Sequence, residues 1–233
     1  MSRRIIVFCV FAAMAAVVFL RLGFWQIQRL HERQAWNAAI THARLSNPRP
    51  LIELPSDTTL SHYRAATVTG QFDYEHELIH SNRTRRGSPG VEFLTPVRIA
   101  GKDTAVLVNR GWVYSPDGAT TDQRRWREGD TAHLAGYVEL VRTDTGVSQS
   151  TQPHVVRRIS AAEIAARIPY PVSPLYLVAI GDTADLKHPA RRDLPVLDDG
   201  PHRGYAFQWF SFALIAIGGA GIVVQRERAK RSP

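Results

Sequence analysis

Two apolar runs near the ends of the 233-residue chain constrain its fold more than any other feature. The first covers residues 5–24 with Arg21 as its only charge, and the second covers residues 205–224 with no charge. A helix rises about 1.5 Å per residue, so each run is long enough to cross the roughly 30 Å hydrocarbon core of a bilayer. The sequence therefore predicts two transmembrane helices on either side of a domain formed by residues 25–204.

A removable export signal is the alternative interpretation of the first run, because Arg3 and Arg4 precede it. The only good A-x-A cleavage match, residues 13–15, lies inside the apolar run, where cleavage is not expected. No Ser-rich, acid-poor presequence comes before the run, which argues against import into an organelle. We therefore expect an uncleaved, two-span protein of the bacterial inner membrane.

Basic residues near the second run indicate the orientation of the chain. Four of them follow the run, against Arg203 alone just before it, and Lys and Arg favour the cytoplasmic side of a span. Two spans return the N-terminus to the same side as the C-terminus. We therefore expect residues 1–4 and the basic tail, residues 225–233, in the cytoplasm and residues 25–204 in the periplasm.

The net charge of +8 comes from the ends of the chain. Residues 35–200 contain 19 Lys and Arg against 19 Asp and Glu, so this segment is neutral and no nucleic-acid partner is expected. The basic flanks suit a lipid bilayer instead. Cys9, the only cysteine, lies in the first apolar run, so the domain between the runs has neither a disulfide bond nor a thiol nucleophile.

The residues between the two runs predict an α+β domain. A segment without Gly or Pro, residues 25–43, continues the first helix until Asn47-Pro48. Ser160 and Glu163 form a capping box that opens a short helix ending at Ile168. Short runs rich in β-branched and aromatic residues indicate an antiparallel sheet or partly closed barrel with one or two short helices. The predicted strands are residues 65–72, 77–81, 91–99, 105–113, 132–141, 153–159 and 175–180.

The segment His76-Glu77-Leu78-Ile79-His80 matches the H-E-x-x-H pattern of zinc peptidases, which requires a helix. It closely follows a predicted strand, and a polar loop, residues 81–87, ends it, so a strand is favoured. On a strand the two histidines stand about 13 Å apart, too far to share one zinc ion. We expect a hairpin strand with exposed His and Glu side chains. A membrane-anchored zinc peptidase is the alternative from the enzyme class.

Three further motifs occur in order along the chain. Residues 23–29 read GFWQIQR, residues 108–113 read VNRGWV, and residues 202–209 read HRGYAFQW. In kind, order and position they resemble the motifs of the Surfeit locus one family of cytochrome c oxidase assembly factors, over nearly the whole chain. The chain departs from that family at Pro201, where Asn is frequent, and at Tyr114, where Pro is. The motif residues are Gly23, Trp25, Gln26, Arg29, Asn109, Arg110, Gly111, Trp112, His202, Tyr205 and Trp209.

The resemblance implies a non-enzymatic chaperone for the assembly of respiratory chain complex IV, a haem-copper oxidase. It implies that the protein binds or presents haem a for insertion into oxidase subunit I, with His202 as ligand of the haem iron and haem a synthase as a second partner. A membrane scaffold for oxidase assembly without a cofactor is the alternative. No nucleophile elbow, phosphate-binding loop or dinucleotide fingerprint occurs in the sequence to indicate an enzyme.

The residue types of the third motif suit a haem contact. In a helix His202, Tyr205 and Trp209 fall at i, i+3 and i+7 on one face. A neutral imidazole binds iron, aromatic rings lie flat beside a macrocycle, and Arg203 or Arg21 is available to the propionates. The alternative is an interfacial aromatic belt that binds no ligand.

Local predictions accompany these motifs. The second span is expected to begin at Pro201 with Asp199 or Gly200 as cap, and the glycine-rich patch at residues 218–221 would allow another helix to approach closely. Trp25 and Arg29 can anchor the first helix at the headgroups. The second motif is expected at a strand end with its arginine paired inside the domain, and the alternative for both motifs is a docking surface.

Overall fold

The structure is a computed structural model, and within it the chain forms two compact units. The helical unit combines Met1–Ala39 with Val196–Pro233, and the barrel unit is Ile40–Pro195. The last three residues of the predicted basic tail lie outside the described part of the chain. The described residues are 2–55, 61–147, 152–181 and 187–230.

Helices and strands follow the order that the sequence predicts. The helices are α1 (Arg3–Leu45), α2 (Ala161–Ala165) and α3 (His202–Ala229). The strands are β1 (Arg49–Pro50), β2 (Ala65–Phe72), β3 (Leu78–Arg85), β4 (Ser88–Arg98), β5 (Val106–Tyr114), β6 (Thr131–Leu140), β7 (Val155–Val156) and β8 (Leu175–Ala179). Short 3-10 turns lie at Leu51–Glu53 and Gln123–Trp126.

The two long helices have the surfaces of membrane helices. Each contains a stretch that is long and apolar enough to cross a bilayer, and only 6% of that stretch is buried inside the protein. The core helix of a soluble protein would bury its apolar side chains, whereas most of these are exposed, which is consistent with a membrane protein. The expected continuation of the first helix is confirmed, because α1 ends at Leu45, just before Asn47-Pro48.

Helix α1 packs against α3 along one stripe of small and aromatic side chains. Phe19 stacks on Trp209 with ring centroids 5.8 Å apart. A Cβ atom on Gly23 would stand 2.6 Å from Phe210 Cε1, so the missing side chain lets that ring approach the α1 backbone. The surface of the glycine-rich patch at residues 218–221 is open, since no described atom lies within 4 Å of a Cβ placed on any glycine there, so its capacity for close helix approach stays a prediction. Buried positions of α1 include a seven-residue series at Ala16, Gly23, Leu30 and Asn37, and Gln26 and Ile40 are also buried.

Five strands of the barrel unit form a closed barrel in the order β2-β6-β8-β5-β4. The pairing of Gln71 with Arg98 and of Phe72 with Val97 joins β2 to β4 and closes the ring. β1, β3 and β7 extend the sheet beyond it. The α+β prediction is confirmed, and the barrel is fully rather than partly closed. Most neighbouring strands are antiparallel, but β5 and β8 are parallel.

Alternate side chains of the barrel strands fill its interior. They are mostly valine and leucine, and they are almost completely buried. At about 25 cal/mol per Å² of buried apolar surface, this packing is the main stabilising contribution in the barrel unit. Representative core residues are Val68, Val97, Val106, Val108, Val138 and Leu177.

Two local predictions differ from the structure, and one is confirmed. The expected polar loop at residues 81–87 is largely strand, because β3 continues to Arg85 after a β-bulge and turns tightly at Arg86-Gly87, where φ is 50° and 83°. The strand expected at 153–159 shrinks to β7. Ser160 caps α2 as predicted, since its hydroxyl accepts a hydrogen bond from the Glu163 amide, although α2 ends before Ile168.

Candidate functional site

The third motif opens helix α3. His202 is the first helical residue, and Pro201 before it provides no side-chain hydrogen bond to the free backbone amides. The prediction that Asp199 or Gly200 caps this helix is wrong. The Asp199 carboxylate instead accepts a hydrogen bond from Gln34 of α1, with Nε2 2.9 Å from Oδ2. The amides at the start of α3 therefore remain available near His202.

His202 is held by Gln26 of the first motif. Its Nδ1 lies 2.8 Å from Gln26 Oε1, and an amide oxygen only accepts hydrogen bonds. In the neutral ring Nδ1 therefore carries the proton and Nε2 keeps its lone pair. Gln26 is buried, which restricts its rotation. A Cβ atom on Gly200 would lie 3.5 Å from Nε2, so the glycine leaves this edge of the ring open.

A groove of about 400 Å³ opens beside His202 in the helical unit. Arg29 of the first motif lies in it and pairs with Glu32 at 2.6 Å. Arg33 donates from Nε to the Asp198 carbonyl at 3.0 Å. The groove thus offers guanidinium groups, one indole and one imidazole to a ligand. Its lining residues are Arg29, Glu32, Arg33, Trp36, Asp198, Gly200 and His202.

The linker before α3 is tied to α1, and this positions the histidine. Gln34 and Asn37 donate hydrogen bonds to Asp199, and Asn37 also donates to the Asp198 carbonyl. The hydrogen bond from Gln34 is the main reason that the pKa of Asp199 lies below its ordinary value, with Asn37 and the charge of Arg203 contributing. The carboxylate therefore stays ionised and keeps these bonds at physiological pH.

The remaining residues of these two motifs lie outside the groove lining. Trp209 and Gly23 belong to the contact between α1 and α3, and Trp209 is about 10 Å further along the helix than His202. Tyr205 and Trp25 are 48% and 50% exposed. The structure thus brings His202 together with Gln26 and Arg29, and it does not place Tyr205 or Trp209 in the groove lining.

The second motif lies within β5 and not at the expected strand end, but its arginine is paired inside the barrel unit as predicted. Arg110 is 0% exposed; its Nη2 lies 2.5 Å from Glu77 Oε2 and its Nη1 lies 2.7 Å from Glu128 Oε1. Nε donates to Thr95 Oγ1 at 2.7 Å. Burial alone would lower the pKa of Arg110, but the two carboxylates outweigh burial and raise it. A fully buried side chain with these partners is not available to a docking protein.

The other residues of the second motif also form contacts within the barrel unit. Asn109 Nδ2 donates to Glu92 Oε2 at 3.0 Å, and its Oδ1 accepts a bond from the Gly111 amide at 3.0 Å. Gly111 has a φ of 123°, a conformation that favours glycine. Trp112 Nε1 donates to the Arg83 carbonyl at 3.3 Å.

The H-E-x-x-H segment is not helical, and its histidines have separate partners. His76 lies in a turn with Nδ1 2.9 Å from Asp73 Oδ2, and His80 on β3 has Nδ1 3.2 Å from Glu92 Oε2. Glu77 and His80 are buried, so the expectation of exposed side chains is wrong for both. Within the described ranges no cluster of three or more His, Cys, Asp or Glu could hold a metal ion.

The partner of His202 does not follow from the sequence. In the sequence Gln26 stands out only as a motif residue, and the groove residues Arg33, Trp36 and Asp198 do not stand out as a site. A signal was present, because Gln26 follows Gly23 by three positions on the face marked by the seven-residue spacing. That spacing indicates a helix partner but not which helix supplies it.

Comparisons with known proteins match the chain to one family. Residues 13–214 match the model of the SURF1 family. A SURF1-like protein of Monosiga brevicollis is 26% identical over 59% of this chain and 56% of its own length. An uncharacterised SURF1-like protein of Mycobacterium tuberculosis is 28% identical over 95% of this chain and 84% of its own. A SURF1-like protein of Rickettsia felis is 24% identical over 86% and 89%.

Proposed function

The chain belongs to the SURF1 family, and on that premise we propose that it is a membrane assembly factor for cytochrome c oxidase that presents haem a for insertion into subunit I. In this role haem a is cargo, and the protein acts without catalysing a reaction. Haem a synthase, as donor, and subunit I, as acceptor, are the proposed partners. The two long apolar helices support a role within the bilayer.

The hydrogen bond between His202 and Gln26 is the observation that carries the proposal. A histidine that binds iron through one ring nitrogen usually donates its other N–H to an oxygen acceptor, which sets the tautomer and orients the ring. Gln26 Oε1 is such an acceptor for Nδ1, and Gly200 leaves the Nε2 edge clear.

The groove beside His202 fits one edge of a haem. Arg29 and Arg33 offer guanidinium groups for propionates, and Trp36 offers a flat surface for the macrocycle. At about 400 Å³ the groove lies near the lower end of the roughly 300–1,000 Å³ typical of small-molecule sites. It would therefore enclose the cargo only in part, which suits a protein that must release it. Bound haem would supply an iron atom with an open position for Nε2.

A cofactor-free scaffold is the second candidate, and a specific observation favours it. Trp209 packs on Phe19, and Tyr205 lies outside the groove lining. Neither of these two aromatic residues of the third motif is therefore positioned to contact a macrocycle in the groove. In a scaffold, the bond between His202 and Gln26 would serve only to join the two helices.

We place the protein in the inner membrane of a bacterium, with residues 25–204 in the periplasm and both termini in the cytoplasm. The charge distribution supports this orientation. Basic residues follow the second apolar run, and the middle of the chain is neutral.

Haem binding by the purified protein separates the two candidates. We expect His202→Ala to abolish the Soret absorbance that the wild type shows after expression with haem supply, and to lower oxidase activity in the parent membranes. Gln26→Leu removes the oxygen acceptor but keeps the ring, so we expect a 10–100-fold weaker haem affinity and a shifted Soret maximum. His31→Ala, an exposed histidine of α1 outside the groove lining, is the matched control.

The outcome that removes haem presentation is equal Soret absorbance per protein in wild type and His202→Ala. If the two proteins have equal haem content but the variant still lowers oxidase activity in the parent membranes, the cofactor-free scaffold becomes the favoured function. If Gln26→Leu binds haem with unchanged affinity and spectrum, Gln26 does not orient the ligand. Equal protein levels in the membrane keep each comparison independent of folding.

A further inference from the structure

A second pocket, in the barrel unit, takes no part in the proposed function. It encloses about 290 Å³ where the ends of several strands meet, and it combines four guanidinium groups with one imidazole and one phenol. We call it the arginine pocket. Its polar residues are His80, Arg83, Arg142, Arg157, Arg158 and Tyr176.

A β-bulge brings two of these residues to the same pocket. In a regular strand His80 and Arg83 are three positions apart, so their side chains would point to opposite faces. The register of β3 against β4 shifts between them, and Asn82 adopts a φ of 57°. Bulges re-aim side chains, and residues at positive φ are found frequently at binding sites. The β-bulge in β3 thus allows His80 and Arg83 to line the same pocket.

His80 forms the rigid part of the pocket. Its side chain is 9% exposed, and Nδ1 lies 3.2 Å from Glu92 Oε2. Glu92 also accepts bonds from Asn109 and Arg192, so the ring is oriented by a carboxylate that is itself held in place. Nε2 of His80 has no hydrogen-bond partner among the described residues. The ring therefore keeps one nitrogen for a ligand.

Ionisation of the neighbouring groups sets which of them donate and which accept, and with Nδ1 bonded to the Glu92 carboxylate, Nε2 of the neutral His80 ring is an acceptor. Burial alone would raise the pKa of Glu92, but the hydrogen bond from His80 and the charge of Arg192 lower it to about 2. The carboxylate is thus ionised and can only accept. Burial, with the charge of Glu139, raises the pKa of Tyr176, so its hydroxyl stays protonated and able to donate.

The arginine pocket contains more positively charged groups than carboxylates that pair with them. Arg142 and Arg158 share Asp144, at 3.2 Å and 3.3 Å. Arg83 donates from Nε to backbone carbonyls of its own strand, and in the described part of the chain Arg157 has no ion-pair partner. Residues 35–200 are neutral as a whole, so this concentration of positive charge is local. An anion is the ligand that would relieve the repulsion.

We infer that the arginine pocket binds a phosphate group, as inorganic phosphate or as the headgroup of a phospholipid. A hydrogen phosphate or phosphate monoester offers several oxygens to the guanidinium groups and the phenol hydroxyl, and its P–OH can donate to Nε2 of His80, whereas one ionised carboxylate would leave most of these groups unused. At about 290 Å³ the pocket is also smaller than the groove of about 400 Å³ beside His202. This site therefore differs in size and chemistry from the groove beside His202.

Calorimetric titration of the full-length protein in detergent tests the inference. The probes are inorganic phosphate, water-soluble dihexanoyl phosphatidic acid and, as a phosphodiester control, dihexanoyl phosphatidylcholine. The test variant is Arg157→Gln with Arg158→Gln, an exposed pair in the pocket, and the matched control is Arg124→Gln with Arg125→Gln, an exposed pair outside it. We expect at least tenfold weaker binding in the test variant, and unchanged binding in the control.

The two probes distinguish the sources of the phosphate. Saturable binding of both indicates a site for the phosphate group itself, and binding of phosphatidic acid alone indicates a lipid headgroup. Tyr176→Phe, which removes only a hydroxyl, should weaken binding severalfold without loss of thermal stability, and this keeps the test valid if the arginine variant folds poorly. No saturable binding of either probe, or an equal loss in both arginine pairs, overturns the inference.

Discussion

Glu92 links two segments that are distant in the sequence. Its Oε2 accepts bonds from Asn109 of the second motif and from His80 of the H-E-x-x-H segment, and its Oε1 accepts a bond from Arg192 at 2.8 Å. A buried carboxylate needs such partners, because an unpaired charge in the protein interior costs several kcal/mol. The asparagine of the second motif is therefore explained by the interior of the barrel unit without a docking protein.

The pKa of Glu92 predicts how acid affects stability. In the folded protein it lies at about 2, below the ordinary value of 4.5, because the bond from His80 and the charge of Arg192 outweigh burial. A lowered pKa stabilises the folded state above pH 4.5, and this contribution, on the order of 3 kcal/mol, is lost as pH falls towards 2. We expect Glu92→Gln to lower the free energy of unfolding at pH 7 and to flatten its dependence on pH in that window.

Denaturant unfolding of the full-length protein in detergent, followed by tryptophan fluorescence at pH 7, 4.5 and 3, measures both effects. Glu53→Gln, an exposed glutamate of the barrel unit, is the control and should behave like the wild type. An unchanged pH dependence in Glu92→Gln would mean that other groups cause the acid sensitivity.

At the scale of elements, the contact between α1 and α3 depends on small residues facing large rings. Gly23 receives Phe210, and Phe24 meets the same ring edge-on with centroids 5.3 Å apart. Buried alanines on α3, at Ala206 and Ala213, keep the same seven-residue spacing as the stripe on α1. Lipid offers apolar helices no hydrophobic driving force to associate, so close packing of this kind must hold the pair together.

Gly23→Leu tests this contact directly. The new side chain would occupy the space of the Phe210 ring, and overpacking of this kind costs about 1–3 kcal/mol. We expect a lower melting temperature by circular dichroism at 222 nm, with recovery when Phe210→Ala is added. Gly218→Leu, at a glycine with open space, should melt like the wild type. If the melting temperature falls equally in both leucine variants, the loss of stability comes from the helix itself and not from the contact.

For the whole molecule, the distribution of charge separates the membrane-facing ends from the middle. The excess of +8 lies outside residues 35–200, where acidic and basic residues balance. A neutral domain between two basic, apolar ends is expected when a membrane helix anchors the domain on each side. The candidate spans at the two ends of the chain agree with this arrangement.

Reporter fusions at Pro233 and at Gly118 test the topology. Because four basic residues follow the second apolar run, we expect alkaline phosphatase to be active only at Gly118 and green fluorescent protein to fluoresce only at Pro233. Gly118 itself is buried, but Pro116 and Asp117 just before it are exposed in the same turn of the barrel unit, where the reporter is inserted. Phosphatase activity at Pro233 would overturn the two-span arrangement with cytoplasmic ends.

The elements of this protein could be predicted from its sequence because their causes are local. The apolar runs, the strands and the cap at Ser160 follow from periodicity and neighbouring residues, and β2 matches its predicted bounds. Partners across the chain depend on packing instead. Gln26 meets His202 from 176 positions away, and Glu77 is buried beside Arg110, which lies 33 positions further along the chain. Only the tertiary structure could decide these contacts, since a periodic pattern shows which face is buried but not what covers it.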